Sequence, residues 1–488
     1  MQTRVTTWMP GVVALVVVSG YGCKQVIGWE EATIWEPDAG GGGGGAGGIG
    51  GDGGGGAGGS GGVGGSGGVG GSGGVGGAPP ECMGAGDCQA EMNQVAACEM
   101  GTCVYTCAAG WGDCTAAPGC ETDLGTTKAH CGACGNTCAA FCKVGSCNDP
   151  VSVVGGYYHH CAVLKEGEVY CWGRNEKGEV GSDAPILTKT PVKVSLPSPG
   201  TATQVDGGGN SGGTYNARSC AILTGGSVAC WGDGNGVPVK VSSLTNIKQI
   251  SVGNSHTCAV DTGGKLYCWG GNSDGQVGAG DTGYKSLPVQ ISTNVAYVNA
   301  GGSHTCAIKN GGTLQCWGDN ARGQLGINST VDQSVPTAVS NIVSVGQVQC
   351  GQDHTCARDA SDVYCWGANA FGSLGINSFE QKLSPQLVDL AGVQTIALGF
   401  GNTGTLVASS VWMWGNNSAG KLGNGNQTSQ PKPVQIGLSG VTALTLASAS
   451  SCALLTDGSI RCWGDNTYGQ LGNGTTVSSF TPTAVVWP

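Results

Sequence analysis

Residues 304–326 read HTCAIKNGGTLQCWGDNARGQLG, and versions of this stretch recur seven times between residue 150 and the C-terminus. The marker of each copy is a Trp-Gly pair: Trp172, Trp231, Trp269, Trp317, Trp366, Trp414 and Trp463, at spacings of 59, 38, 48, 49, 48 and 49 residues. A short G-x-[VL]-G signal follows six of them, at 178–181, 275–278, 323–326, 372–375, 420–423 and 469–472; the second copy lacks it, which accounts for the short 38-residue interval. Each copy closes on a Pro-x-x-[VI] segment such as Pro288-Val289-Gln290-Ile291.

The periodicity inside a copy is that of strands. Residues 257–260 and 265–269 flank the turn cluster Asp261-Thr262-Gly263-Gly264,. No window carries an apolar i, i+3, i+4 stripe over helical length. A period in the forties with short strands and glycine punctuation means propeller blades, because a solenoid of helix pairs needs helical stripes. The expected fold is all-β: a seven-bladed β-propeller over residues 150–488, one ring with a continuous core.

The pattern V-x-x-G-x-x-H-T-C-A followed by C-W-G-x-N-x-x-G-Q-L-G resembles the RCC1 repeat family, whose members form seven-bladed propellers. The resemblance covers residues 150–488, about 70% of the chain. It implies a fold more strongly than a function, since function sits on sites grafted onto folds. It implies protein binding first, as in most similar propellers, one secreted bacterial relative inhibiting β-lactamase. It also carries the eukaryotic activity of guanine nucleotide exchange on a small GTPase, with chromatin binding.

The rest of the chain bears on that choice. A net charge of −11 disfavours a nucleic-acid partner, which requires a basic face,. The 26 cysteines argue for an oxidising compartment,. Residues 1–22 read as an export signal, with Arg4 as the basic region and an apolar run at 12–18 too short to span a bilayer,. The run ends at Gly20-Tyr21-Gly22-Cys23, similar to a bacterial lipoprotein lipobox, with Gly20 departing from the usual aliphatic residue. Cys23 is therefore the expected acylation site, a secretory signal with a chance cysteine being the alternative. The lipid would be the only membrane contact, placing the protein in the cell envelope, at the outer membrane or cell surface.

Residues 23–80 hold that site and a glycine-rich tract that cannot bury a core, a flexible tether reaching on the order of 35 Å. Residues 81–149 carry twelve cysteines in 69 positions, which read as a disulfide framework of unknown connectivity,. The form Cys131-x-x-Cys134-Gly also suits a zinc knuckle, with Cys138 and Cys142 available to complete it,. This segment is similar to cysteine-rich modules of myxobacterial surface proteins.

Twelve of the thirteen propeller cysteines form one pair per blade: Cys161/Cys171, Cys220/Cys230, Cys258/Cys268, Cys306/Cys316, Cys356/Cys365 and Cys452/Cys462. Pairing about Gly263 sets Cys258 opposite Cys268, about 4.5–5.5 Å apart between Cα atoms and within disulfide reach. The sixth copy loses both positions together, to Gly404 and Met413, as a bridge requires. Cys350 is left over. His256, His304 and His354 each precede a blade cysteine by two residues, on one strand face,. Zinc is the sharp reading of that pattern; a histidine bonded to the preceding turn backbone is the plain one, favoured because a catalytic site is single and this pattern repeats.

No metal, cofactor or catalytic constellation is expected: there is no G-x-S-x-G, no H-E-x-x-H and no phosphate loop with a following helix. The protein is expected to be a non-enzymatic surface module binding a protein partner, with a glycan as the second choice. Nucleotide exchange is disfavoured by export and acidity. Candidate contact residues lie where loops break the repeat: Tyr157, Tyr158 and His159 in the first copy, and Tyr215 and Arg218 in the second,. The C-terminal segment 482–486 is expected to pair with the first blade and lock the ring.

Overall fold

The computed structural model describes residues 83, 87–100, 102–114, 120–181, 185–209 and 217–488, with the backbone of a short hairpin, Val16–Ser19 and Gly22–Gln25. Most of the segment expected to be an export signal, the Cys23 side chain, the glycine tract and Tyr215 lie outside the described residues. Two compact units meet in the sequence at residues 124 and 125.

The first unit holds the antiparallel pair Gln94–Glu99 with Thr102–Cys107, and the bridges Cys88–Cys103 and Cys107–Cys120. The second begins with two crossed bridges, Cys131–Cys142 and Cys138–Cys147. Cys134 is disulfide-bonded as well. The zinc-knuckle alternative fails for that reason, since no thiolate of the C-x-x-C-G stretch is available to a metal.

The second unit is a ring of seven four-stranded antiparallel blades, at 150–193, 202–240, 247–292, 295–338, 347–387, 393–435 and 441–484. In blade 3 the strands run from the axis outward as Ile247–Val252, His256–Asp261, Leu266–Gly270 and Lys285–Ser292. The second strand of each blade is buried on both faces, because a blade is covered on each side by a neighbour,. The outer strand is a free edge, and each carries a proline, Pro288 in blade 3 and Pro336 in blade 4. A missing N–H there blunts pairing with another chain. The Pro-x-x-[VI] signal is thus an edge device.

Each blade cysteine pair sits directly opposed on strands 2 and 3 and is bonded. The bridges are Cys161–Cys171 in blade 1, Cys220–Cys230 in blade 2 and Cys258–Cys268 in blade 3. They continue as Cys306–Cys316 in blade 4, Cys356–Cys365 in blade 5 and Cys452–Cys462 in blade 7. Their Cα atoms lie 4.0–4.1 Å apart. The spacing expected from strand geometry alone, about 4.5–5.5 Å, is corrected downward, because the covalent link holds the two strands closer than a ladder does. In blade 6, Gly404 lies opposite Met413, whose sulfur fills the space a Cβ on Gly404 would need.

The repeat motif is an inter-blade joint. In blade 4, Asn320 Oδ1 accepts from Leu325 N–H at 3.0 Å, and its amide donates to Ser329 and Val331 carbonyls, folding the D-N-A-R-G-Q-L-G loop. The loop presents the Gln324 carbonyl to blade 5, where it accepts from Trp366 Nε1 at 2.9 Å and Thr355 Oγ1 at 2.7 Å. Gly326 closes the loop at φ 72°, and any Cβ there would stand 2.6 Å from the Trp366 indole. His304 Nε2 then lies 2.9 Å from Thr355 Oγ1. The threonine spends its one proton on the Gln324 carbonyl, so the imidazole must be the donor, its Nε2 protonated and the ring neutral.

The same chain links blade 3 to 4 through His256 and Thr305, and blade 5 to 6 through His354 and Thr403. The plain sequence reading of these histidines is corrected: each side chain reaches the next blade, and only its backbone carbonyl closes the preceding turn. Burial lowers His256, His304 and His354 to about 3.

The expected closing strand is also corrected. Ser479–Ala484 is the outer strand of its own blade, paired with Ile460–Gly464, and blade 1 obtains all four strands from 150–193. Blade 7 joins blade 1 by the same indole bond, Trp172 Nε1 donating to the Gln470 carbonyl at 3.0 Å, with the imidazole and hydroxyl exchanged between blades: His160 Nε2 of blade 1 lies 2.9 Å from Ser450 Oγ of blade 7. The repeat is complete at both ends, so no strand has to be borrowed.

Candidate recognition face

Antiparallel order places the turn between strands 1 and 2 at the same end of every blade as the loop between strands 3 and 4, which carries G-x-[VL]-G in all blades but the second. The axis there is ringed by Gly156, Gly208, Gly253, Gly301, Gly351, Gly399 and Ala447. A Cβ on Gly301 would stand 2.6 Å from the Gly351 carbonyl, and one on Gly253 would stand 2.5 Å from the Gly301 carbonyl. Backbone meets backbone at these two glycines, where a Cβ has no room,. The depression left between these turns has a volume near 30 Å³, room for about one water,. Recognition at this end therefore belongs to the surface around the axis.

That surface carries an aromatic arc over blades 5, 6, 7 and 1. Phe371 projects from the blade 5 loop, 49% exposed, toward Gly401 in the blade 6 turn. Phe400 of that turn meets Tyr157 of blade 1 edge-on, ring centroids 6.4 Å apart. Tyr157 stacks edge-on with Tyr158 at 4.4 Å, and Tyr158 lies 5.1 Å from Tyr468 of the blade 7 loop. The Arg174 guanidinium lies within cation–π range of all three tyrosines, at 5.8, 5.2 and 5.9 Å,.

Arg174 is pinned from below. Its Nε donates to Glu179 Oε1 at 2.8 Å, and Glu179 Oε2 accepts from Lys177 N–H at 2.7 Å. Burial pushes the Glu179 carboxyl up, opposed by these donors. Burial, and then Tyr157, raise the Tyr158 hydroxyl to about 12, so it stays a neutral donor. Lys421 props the far side: its Nζ donates to the Phe400 and Ser448 carbonyls at 2.7 and 2.9 Å, and burial lowers it to about 7. A packed set of rings around one guanidinium can offer apolar contact and planar hydrogen bonding to a ligand.

The sequence candidates separate on this geometry. Tyr158 is half-buried in the arc, and Tyr157 is its inner support, only 6% exposed. His159 is 1% exposed, with Nε2 2.8 Å from Ser219 Oγ of blade 2, so it is a joint residue and no surface anchor. Arg218 is corrected likewise: it pairs with Asp233 at 2.6 Å and donates to Thr257 Oγ1 of blade 3 at 3.4 Å. It stands where blades 3, 4 and 5 have histidine. Sequence reasoning missed Arg174, Phe371, Phe400 and Tyr468. For Phe371 and Tyr468 a signal lay in the frame itself: the residue before each G-x-[VL]-G, namely Lys177, Asp274, Arg322, Phe371, Ala419 or Tyr468, varies while its neighbours repeat.

Comparison with known proteins agrees with the architecture. The family model described as the RCC1-like domain matches residues 235–487, and two models of the regulator of chromosome condensation (RCC1) repeat match 151–179 and 166–212. Among solved structures, human WBSCR16 is similar with a TM-score of 0.56 and 21% identity, over 62% of this chain and 86% of that one. Yeast Prp20, in a structure with Kap60 bound, gives a TM-score of 0.55 and 21% identity, over 61% of this chain and 78% of that one. Saccharomyces cerevisiae Prp20p, described with its binding properties to Gsp1p and histones, gives 0.55 at 20% identity, over 61% and 80%. At these identities the structural likeness shows the fold.

Proposed function

Because the chain belongs to the RCC1-like domain family, we propose that it is a protein-recognition propeller, exported and held at the cell surface by an acylated Cys23 on a glycine tether. The observation that carries this reading is the arc of Phe371, Phe400, Tyr158 and Tyr468 around Arg174, a cluster of the residue types that dominate protein interfaces,. The yeast relative, with Kap60 bound in its structure, supports a protein partner over a small ligand. Disulfides in six of seven blades support an oxidising compartment, in which a cytosolic GTPase is absent,. Catalysis is given no role.

The test is binding of the oxidised full chain to envelope proteins of its host and to a glycan array. Saturable binding to one protein, weakened by Tyr468→Ala and Phe400→Ala, is the expected result. Binding to glycans alone makes the protein a lectin. Binding that ignores both substitutions moves recognition to another surface.

A further inference from the structure

Blade 5 differs from the other six at one point of its inner strand. The residue immediately before the axial one is Gly155, Gly207, Val252, Ala300, Leu398 or Leu446 elsewhere, and Cys350 here. Cys350 ends the strand Gln347–Cys350 and is buried at the joint with blade 4. Its N–H donates to Asn299 Oδ1 at 2.6 Å, and its Sγ lies 3.4 Å from the Asn299 carbonyl. Asn299 is the direct cross-strand partner of Cys306. The Cys350 sulfur, the Cys306 sulfur and a ring nitrogen of His304 lie within 4.8 Å of one another. Cys306 is at the same time bonded to Cys316 inside blade 4. A free thiol therefore faces a disulfide sulfur across a blade boundary, with a neutral imidazole beside both.

Repetition argued against any special chemistry at the His-x-Cys positions, and it does not apply here, because among the described residues only this joint holds a free thiol. We propose that Cys350 is an exchange partner for the Cys306–Cys316 bridge, able to move a cross-link from within blade 4 to between blades 4 and 5. The Cys350 thiol loses its proton, and its sulfur attacks Cys306 Sγ. A Cys306–Cys350 bond forms as the Cys306–Cys316 bond breaks, and Cys316 leaves as a thiolate that takes up a proton. One disulfide and one thiol stand on each side of the reaction, so no oxidant or reductant is consumed.

His304 Nδ1 makes no hydrogen bond, and the proton of Cys350 passes to solvent base once the joint opens. Burial pushes the Cys350 thiol well up, so the closed joint holds the native pairing and exchange waits on opening of the blade 4–5 boundary,. Each other blade bridge faces a neighbour without a thiol, which confines the reaction to this joint.

The experiment uses the full oxidised chain, incubated at mildly alkaline pH with stepwise denaturant below the unfolding midpoint. Samples are quenched in acid, alkylated and digested without reduction, and disulfide-linked peptides are measured by mass spectrometry. The expected product is a Cys306–Cys350 peptide with alkylated Cys316, at least about tenfold more abundant than any other non-native linkage because the reacting sulfurs are already held together. Cys350→Ser, which preserves the size of the side chain, should show neither the product nor alkylated Cys316. Alkylation of Cys350 with Cys306–Cys316 intact at every denaturant concentration overturns the proposal. So does scrambling spread evenly over the six bridged blades, or a Cys316–Cys350 linkage in place of the Cys306 one.

Discussion

The indole of Trp172 donates to the carbonyl of Gln470 at 3.0 Å, a bond between residues 298 positions apart that closes the ring. The same bond recurs at five other blade boundaries, from Trp231, Trp317, Trp366, Trp414 and Trp463. Among the described residues Trp269 makes no such bond, because the blade before it lacks the G-x-[VL]-G loop. Trp172→Phe should therefore cost more stability than Trp269→Phe, by about 1–3 kcal/mol for a buried carbonyl stripped of its donor. Urea unfolding of the two variants measures the difference; equal losses would remove the indole bond from the joint.

Five buried histidines make the propeller acid-sensitive. Burial lowers His159, His256, His304 and His354 to about 3 and His160 to about 4. Below their ordinary value of 6.5 the unfolded chain takes up protons that the folded chain refuses, so stability falls with pH through that window,. Each contributes at most about 1.4 kcal/mol per pH unit. Buried carboxyls oppose them: burial raises Asp206 from 3.8 to about 8, and raises Glu179 and Asp353 as well, so at these sites the folded state holds the extra proton. Five histidines against three carboxyls leave a net loss, and the urea midpoint should drop from pH 6 to pH 4. A flat midpoint across that range would contradict the buried neutral state.

Much of this fold was legible from residue order alone. The turn Asp261–Gly264 fixes which residues oppose each other, and Cys258 opposite Cys268 follows by counting. Contacts between copies were not legible in the same way. His256 and Thr305 belong to identical His-Thr-Cys triplets, and a repeat displays both without saying whether they meet inside one copy or across two. The borrowed-strand expectation failed for the same reason, since a closing segment at 482–486 reads alike whether it serves its own blade or the first. The arc as a whole was hidden because Arg174, Phe371, Phe400 and Tyr468 come from the first, fifth, sixth and seventh copies and converge only once the ring closes.

Blade 6 offers a vacant disulfide position. Gly404→Cys alone should destabilise, because its Cβ meets Met413 Sδ at 2.6 Å and Leu444 Cδ2 at 2.8 Å,. With Met413→Cys beside it, the same register that joins the other pairs should form a seventh bridge. The gain under oxidising conditions should be about 2.5 kcal/mol for a loop of this size. A double variant no more stable oxidised than reduced would contradict it.

Recognition and folding should separate by residue. Tyr468→Ala and Phe371→Ala remove partly exposed rings of the arc and should weaken partner binding about tenfold or more while leaving the unfolding midpoint nearly unchanged. His159→Ala breaks the joint to Ser219 and should lower the midpoint instead. Calorimetric titration beside thermal melting distinguishes the two, and a binding loss confined to His159→Ala would return that residue to the surface role.

A ring closed without a shared strand depends on side chains at its seam. Trp487, beyond the last strand, lies 6.3 Å from the Trp172 ring, 5.5 Å from Tyr170 and 5.8 Å from Phe141. Phe141 is fixed in turn by the Cys131–Cys142 and Cys138–Cys147 bridges around it, so the tail is clamped between blade 1 and a disulfide-bound loop. Trp487→Ala should cost about 3–5 kcal/mol, the range for emptying a large aromatic site in a packed core. Deleting residues 480–488 should cost more, because it also strips most of an outer strand from blade 7. Amide exchange should then rise first in blades 1 and 7, the two sides of the seam. Uniform protection around the ring after either change would mean that closure rests on the Trp172–Gln470 joint without help from the tail.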